Sequence, residues 1–160
     1  MLNRGIIQIG IVRTPFNSQG LSIEYFSKEP MIAVFKDDSG WFDGKKFICL
    51  KDLKSKPLII YRRFEKIIFK CCYDNNFVPE IICKCDDART TLLWAESGIG
   101  IAMVPKTAIE LIKAPGLIYK IINEPTLETC IAAICEKNRY MSTAGKNFLN
   151  MISNVQKFST

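Results

Sequence analysis

The chain has 160 residues, 48% of them hydrophobic, which is enough to bury a core as one domain or as two small lobes. Its formal net charge is +6, but the basic residues are scattered, which argues against a nucleic-acid-binding stripe. It contains no histidine, and this excludes Ser-His-Asp and Cys-His catalysis and the most common general base.

Short apolar strands alternate with helical patterns, which predicts an α/β fold with mostly parallel strands. We expect strands at residues 6–12, 31–35, 58–61, 81–85, 101–104, 117–122 and 129–135. The spacing of apolar residues predicts helices at residues 64–73, 88–96 and 106–113 and from about residue 142 onward. The first of these helices carries one apolar stripe, formed by Phe64, Ile67, Ile68, Cys71 and Cys72. Asp87 is the expected N-cap of the second helix. One face of the last helix carries Ala144, Phe148, Met151, Ile152 and Val155.

The seven cysteines favour a reducing compartment. They are Cys49, Cys71, Cys72, Cys83, Cys85, Cys130 and Cys135, an odd number on apolar helix and strand faces, as is typical of reduced core thiols. Their spacing lacks the C-x(2–4)-C loop of a zinc site, so we expect no metal and no cofactor. No export signal is visible, and the apolar run at residues 6–12 is too short to span a membrane. A cytoplasmic protein without a membrane partner is therefore predicted.

Four stretches carry a family resemblance. They are RGIIQIGIVRTP at residues 4–15, EPMIAV at 29–34, LKDLKSKPLIIY at 50–61 and CDDARTTLLWAESGIGIAMVP at 85–105. In this order the chain resembles the effector-binding domain of LysR-type transcriptional regulators, N-terminally truncated. The resemblance implies a two-lobed, type 2 periplasmic-binding-protein-like α/β fold with one lobe complete and the other partial.

The resemblance also implies an organisation. Residues 1–16 and 124–160 would form the partial first lobe, residues 17–123 would form the second lobe with its crossover segments, and the DNA-binding helix-turn-helix would be absent. A small anionic metabolite would bind in the cleft between the lobes and shift the population of lobe and dimer arrangements. The domain would be a homodimer, and a higher oligomer in the full-length protein, touching DNA only through the missing N-terminal domain.

Two other functions stay open at this point. A solute-binding protein of the same fold would need an export signal. An enzyme on this fold would need a polar catalytic cluster, and no nucleophile–base pair is evident. We therefore predict no enzyme activity and no catalytic or metal-binding residues.

The expected effector contacts lie where strands end. Arg62 and Arg63 stand between a strand and a helix beginning at Phe64, and a helix N-terminus beside two guanidinium groups favours an anion. The next strand-to-helix turn holds Asp86, Asp87 and Arg89. The resemblance implies effector contacts at Thr14, Arg62, Arg63, Phe64, Ala88 and Arg89. The alternatives are that the arginines are merely solvated and that Asp87 is only a cap.

Overall fold

The computed structural model describes residues 1–2, 4–42 and 44–157, without the side chains of residues 154–157. The side chain of Val155, part of the predicted apolar face of the last helix, lies outside the described residues. The chain forms two compact units. The terminal unit comprises Met1–Lys28 and Thr129–Thr160, and the central unit comprises Glu29–Glu128.

The described residues contain nine strands and three α-helices. The strands are β1 Gly10–Arg13, β2 Leu21–Glu29, β3 Met31–Lys36, β4 Phe47–Ile48, β5 Pro57–Tyr61, β6 Glu80–Cys85, β7 Ile101–Pro105, β8 Leu117–Ile122 and β9 Thr129–Glu136. The helices are α1 Glu65–Asp74, α2 Ala88–Glu96 and α3 Thr143–Lys157. Short 3₁₀ segments occur at Asp37–Ser39, Leu50–Leu53, Arg62–Phe64, Lys106–Leu111 and Pro125–Leu127.

The central unit is built on a six-stranded sheet in the order β4-β8-β3-β7-β5-β6. Strand β5 runs parallel to both β6 and β7, and β4 runs parallel to β8. Only β3 runs against its two neighbours, β7 and β8. The prediction of an α/β fold with mostly parallel strands is confirmed for this sheet.

Strand β3 explains why both faces of this sheet are covered. Five consecutive apolar residues, Met31 to Phe35, are fully buried. Because successive side chains of a strand point to opposite faces of the sheet, these residues belong to two separate apolar clusters. The cluster on the α1 side contains Met31, Ala33 and Phe35 together with the predicted apolar stripe of α1. The cluster on the α2 side contains Ile32 and Val34. Burial on both faces is typical of parallel sheets layered between helices.

The Gly-x-Gly turn after α2 has a backbone role. Gly98 adopts φ +82°, a left-handed conformation that suits the residue following a helix. Gly100 lies so close to β5 that a Cβ atom there would stand 2.7 Å from the Pro57 carbonyl oxygen. Both glycines therefore allow α2 to turn directly into β7.

The terminal unit contains a three-stranded sheet in the order β1-β9-β2. β1 and β9 are antiparallel, with Gly10 opposite Ile134 and Arg13 opposite Ile131. The prediction that the strand at residues 6–12 joins the one at 129–135 in a second sheet is confirmed, although the first strand begins only at Gly10. In place of the helix predicted at residues 106–113, the structure has the 3₁₀ segment Lys106–Leu111.

The units divide the chain after Lys28 and after Glu128, whereas the sequence placed the boundaries at residues 16/17 and 123/124. At the first boundary the difference arises from β2, which was not predicted and lies beside β9. The Lys137 N–H also donates to the Gly20 carbonyl, so the segment leading into β2 stays with the terminal unit. That one lobe is complete and the other partial stays a prediction.

The seven cysteines are free thiols, and all but the exposed Cys49 are buried or half-buried, four of them in the two apolar clusters and two in β9. Burial raises the pKa of Cys72 to about 12, which keeps this thiol protonated and unreactive. The described residues form no group of three or more metal-binding side chains. No helix among them is long and apolar enough to cross a membrane.

Candidate effector site

The pairing of β5 with β6 brings two strand-to-helix turns to one edge of the central sheet. The strands are parallel, and Tyr61, the last residue of β5, pairs with Cys85, the last residue of β6. The register shifts at an irregularity between Leu58 and Ile59, and beyond it the two strands end opposite each other. The turn at Arg62–Phe64 and the turn at Asp86–Asp87 therefore leave the sheet side by side.

An ion pair joins the two turns. The Arg62 Nε atom donates to Asp86 Oδ1 at 2.8 Å, and an Arg62 terminal nitrogen lies 3.4 Å from the Lys84 carbonyl oxygen. The two side chains are 52% and 84% exposed. An exposed pair of this kind contributes about 0–1 kcal/mol, so a ligand carboxylate can replace Asp86 at low cost.

Phe64 does not present its side chain to a ligand. Its ring is 1% exposed and packs edge-on against Tyr61, with ring centroids 5.4 Å apart. The predicted helix start at Phe64 is also displaced, because Arg62–Phe64 is a 3₁₀ turn and α1 begins at Glu65. Any effector contact by Phe64 would therefore be made by its backbone.

The turn before α2 is already capped. The Thr90 N–H and hydroxyl donate to the Asp87 carboxylate at 2.8 and 2.7 Å, which confirms the predicted N-cap. The backbone hydrogen bond from Thr90, followed by that from its hydroxyl, lowers the pKa of Asp87. Arg89 adds an attraction in the same direction. Ala88 is half-buried and Arg89 is exposed.

The two helix N-termini thus differ in charge. The positive end of the α2 dipole already faces the Asp87 carboxylate, which would repel a second anion. The start of α1 has no side-chain cap, and two arginines precede it. The one acidic residue in its first turn, Glu65, is paired with Lys84. Electrostatics favour an anion at the Arg62–Phe64 turn over the Asp86–Asp87 turn.

Thr14 lies in the terminal unit and has a role in its sheet. Its hydroxyl accepts a hydrogen bond from the Cys130 N–H, and its own N–H donates to the Cys130 carbonyl, both at 2.9 Å. Thr14 therefore extends the pairing of β1 with β9 by one residue. The structure brings together Arg62, Asp86 and their neighbours within the central unit.

Sequence reasoning missed a second feature of the central unit. A cavity of about 290 Å³ is lined by Lys46, Phe47, Tyr119, Lys120 and Ile121. It lies where β4 pairs with β8, at the sheet edge opposite β6. The sequence signal was an aromatic residue adjoining a lysine on each of these two strands.

The family model of the LysR substrate binding domain matches residues 1–157. The chain belongs to this family. This membership confirms the sequence-based resemblance and makes the chain a ligand-sensing regulatory domain of the LysR type. A solute-binding protein or an enzyme on the same fold is not favoured.

Two curated relatives are transcriptional regulators of Bacillus subtilis (strain 168). The HTH-type transcriptional regulator BsdA is 28% identical over 108 residues, covering 64% of this chain and 37% of BsdA. The HTH-type transcriptional regulator AlsR is 25% identical over 119 residues, covering 69% of this chain and 38% of AlsR. The chain therefore spans less than two-fifths of the length of these relatives.

Solved structures confirm the fold. The BenM effector binding domain with its effector benzoate has a TM-score of 0.84 at 19% identity, covering 99% of this chain and 73% of that one. CbnR, a LysR family transcriptional regulator, has a TM-score of 0.79 at 19% identity, covering 97% of this chain and 54% of CbnR. These matches agree with the two-lobed, periplasmic-binding-protein-like α/β class.

The Asp87 cap gives a pH-dependent prediction. Because its folded-state pKa is lowered, the carboxylate adds stability above the ordinary value of 3.8, and this contribution is lost as the pH falls through the folded-state pKa. We expect Asp87→Ala to reduce the free energy of unfolding at pH 7 more than Asp87→Asn, which retains an acceptor oxygen. Both variants should lie closer to the wild type below pH 3.8 than at pH 7. Urea denaturation at both pH values tests this, and a deficit in Asp87→Ala that is independent of pH would contradict it.

Proposed function

We propose that this domain binds a small anionic metabolite at the Arg62–Phe64 turn and passes the binding signal to a transcriptional regulator. The supporting observation is that β5 and β6 end at the same level and that Arg62 and Arg63 directly precede α1, whose start has no side-chain cap. Ligands of open α/β sheets bind outside the carboxyl ends of the strands, where these turns stand. The role is sensing, and we propose no catalysis.

The chemistry of this turn favours a carboxylate or a phosphate. A guanidinium group forms paired hydrogen bonds with either group, and the start of a helix adds backbone N–H donors and a positive dipole end. The BenM domain is described with benzoate as its effector, which is a carboxylate. We propose direct contacts from Arg62, Arg63 and the backbone of Phe64, with Ala88 and Arg89 as further contacts, while the effector contact expected at Thr14 stays a prediction.

Arg62 would act as the switch within this site. In the structure it is paired with Asp86, so the turns before α1 and α2 are tied to each other. An anion that binds Arg62 would replace Asp86 as its partner and would break the ion pair that links the two turns. A ligand shifts a conformational equilibrium only through such a difference in interaction between two states.

The regulator as a whole would bind DNA through a separate helix-turn-helix domain and act in the cytoplasm. The support is that the curated relatives are HTH-type transcriptional regulators and that this chain matches only part of their length. The basic residues of this chain do not form a nucleic-acid stripe, which agrees with DNA contact elsewhere.

We also propose that the domain is a homodimer. Large apolar side chains are exposed on α2, where Leu93 and Trp94 are 50% and 45% exposed, and on α3, where Phe148 and Met151 are 40% and 58% exposed. Clusters of exposed apolar residues mark interaction surfaces. The full-length regulator would form a higher oligomer from such dimers.

Light scattering over a wide concentration range tests the dimer. We expect the wild type and the control variant Tyr140→Glu, which changes an isolated residue that is 81% exposed, to dimerise equally. Trp94→Glu and Met151→Glu place a charge in the apolar surfaces and should shift the equilibrium to monomer. A wild-type chain that stays monomeric throughout would contradict the dimer.

Calorimetric titration with benzoate and with inorganic phosphate tests the effector site. We expect at least one of the two to bind saturably, and benzamide, the uncharged counterpart of benzoate, not to bind. Loss of a charge-assisted contact costs about 1.5–3 kcal/mol, so Arg62→Ala and Arg63→Ala should each weaken binding about ten- to a hundredfold. Arg4→Ala, an identical change at an exposed arginine of the terminal unit, is the control. Binding that is equal in all four proteins would contradict this site.

A further inference from the structure

Two cysteines beside the candidate site form a pair that the proposed function does not use. Cys83 and Cys85 are alternate residues of β6, so their side chains share one face of the strand. Their sulfur atoms are 3.7 Å apart. Both pack against the cluster that contains Ala88 and Leu92 of α2. Strand β6 is the last in the sheet order of the described residues, so no described strand covers its outer edge.

The strand does not favour a disulfide between these two thiols. Alternate Cα atoms of a strand lie about 6.4–6.8 Å apart, at the upper end of the range of about 4.4–6.8 Å for disulfides. The sulfur atoms would have to close from 3.7 Å to about 2.05 Å while hydrogen bonds to β5 hold the backbone extended. The pair is better arranged to hold an atom between the two sulfurs.

The two cysteines also provide too few ligands for a structural zinc ion. A structural zinc ion takes four protein ligands. The described residues include no group of three or more cysteine, aspartate or glutamate side chains around a common centre. A centre that needs only two sulfur ligands therefore fits this pair better than zinc.

We propose that Cys83 and Cys85 form a dithiol site for a trivalent organic arsenical. A metal–sulfur bond of about 2.3 Å at a tetrahedral centre separates two sulfurs by close to the distance seen here. Arsenic–sulfur bonds are similar in length, and the narrower angle at pyramidal arsenic requires only a small closing rotation of the side chains. The site is independent of the anion site and does not rest on the proposed function.

The reaction is a condensation without oxidation. With phenylarsine oxide, two S–H bonds and the arsenic–oxygen bond break, two arsenic–sulfur bonds form, and the oxygen leaves with both protons as water. Arsenic stays trivalent, so no oxidant or reductant is needed. The phenyl group stays on arsenic as its third substituent.

The surroundings suit a neutral adduct. Cys85 is 5% exposed, and burial, followed by the hydrogen bond with Cys83, raises its pKa. Both reactants and the dithioarsenite product are uncharged, so no charge is buried on binding. Half-buried Cys83 offers the first point of attack, and closure on Cys85 completes the ring.

Intact-mass measurement and titration of the native protein with phenylarsine oxide test the site. We expect one adduct per chain, formed with loss of water, that ethanedithiol removes and an equal concentration of mercaptoethanol does not. Linking two contacts raises affinity about 10²–10⁴-fold over either alone, so Cys83→Ser and Cys85→Ser should each weaken binding at least about a hundredfold.

Two matched variants act as controls. Cys49→Ser removes an exposed thiol, and Cys71→Ser breaks the adjacent pair Cys71 and Cys72. We expect both to bind like the wild type. If Cys85→Ser fails to fold by circular dichroism, the half-buried Cys83→Ser decides. Undiminished binding in Cys83→Ser, or loss of binding in Cys71→Ser, would overturn the proposal.

Discussion

The parallel pairing of β5 with β6 is the interaction on which the candidate site depends. Because Tyr61 and Cys85 are paired as the last residues of their strands, the chain leaves the sheet at the same level in both places. A shift of one residue would place every β6 side chain on the opposite face. It would separate Arg62 from Asp86 and would turn Cys83 and Cys85 away from α2. The anion site thus follows from this register, which also determines that the dithiol pair faces α2.

That register is held by the layers around it. Strand β5 lies between β6 and β7, and its residues Leu58, Ile59 and Ile60 are fully buried. Close packing leaves such a strand little freedom to slide. The turns beyond it are exposed, so the sheet supplies a fixed base for groups that can still rearrange. Arg62 combines both properties, because its backbone follows the fixed strand and its guanidinium group is exposed.

Features with a local cause could be predicted from the sequence. Each of three such features depends only on residues that are close in sequence: the strands with continuous apolar runs, the apolar stripe of α1 and the Asp87 cap. Strand β2 was missed, although its first residues, Leu21 to Glu24, alternate between apolar and polar as a half-buried strand does. Its place beside β9, about a hundred residues later, has no local signal. Because β2 was not predicted, the first expected lobe boundary was placed at residues 16/17, whereas the terminal unit extends to Lys28.

The candidate site shows the same limit. The sequence indicated that Arg62, Arg63 and the Asp86–Asp87 turn follow neighbouring strands. The Arg62–Asp86 ion pair, however, depends on the register between those strands, and no local pattern encodes it. Phe64 was assigned to both the apolar stripe and the site, and its ring belongs to the core. The contact between Cys83 and Cys85 needed only the two-residue period of a strand, but it was overlooked because the cysteines were considered only as reduced core thiols or as zinc ligands.

Hydrogen exchange with bound anion shows whether the anion binds at the start of α1. We expect saturating benzoate or inorganic phosphate, whichever binds in the titration, to slow amide exchange at residues 62–66 at the start of α1. We expect a smaller change at residues 86–89, because the α2 N-terminus is already capped by Asp87. Protection confined to residues 46–47 and 119–121, which line the cavity at the opposite sheet edge, would contradict the account.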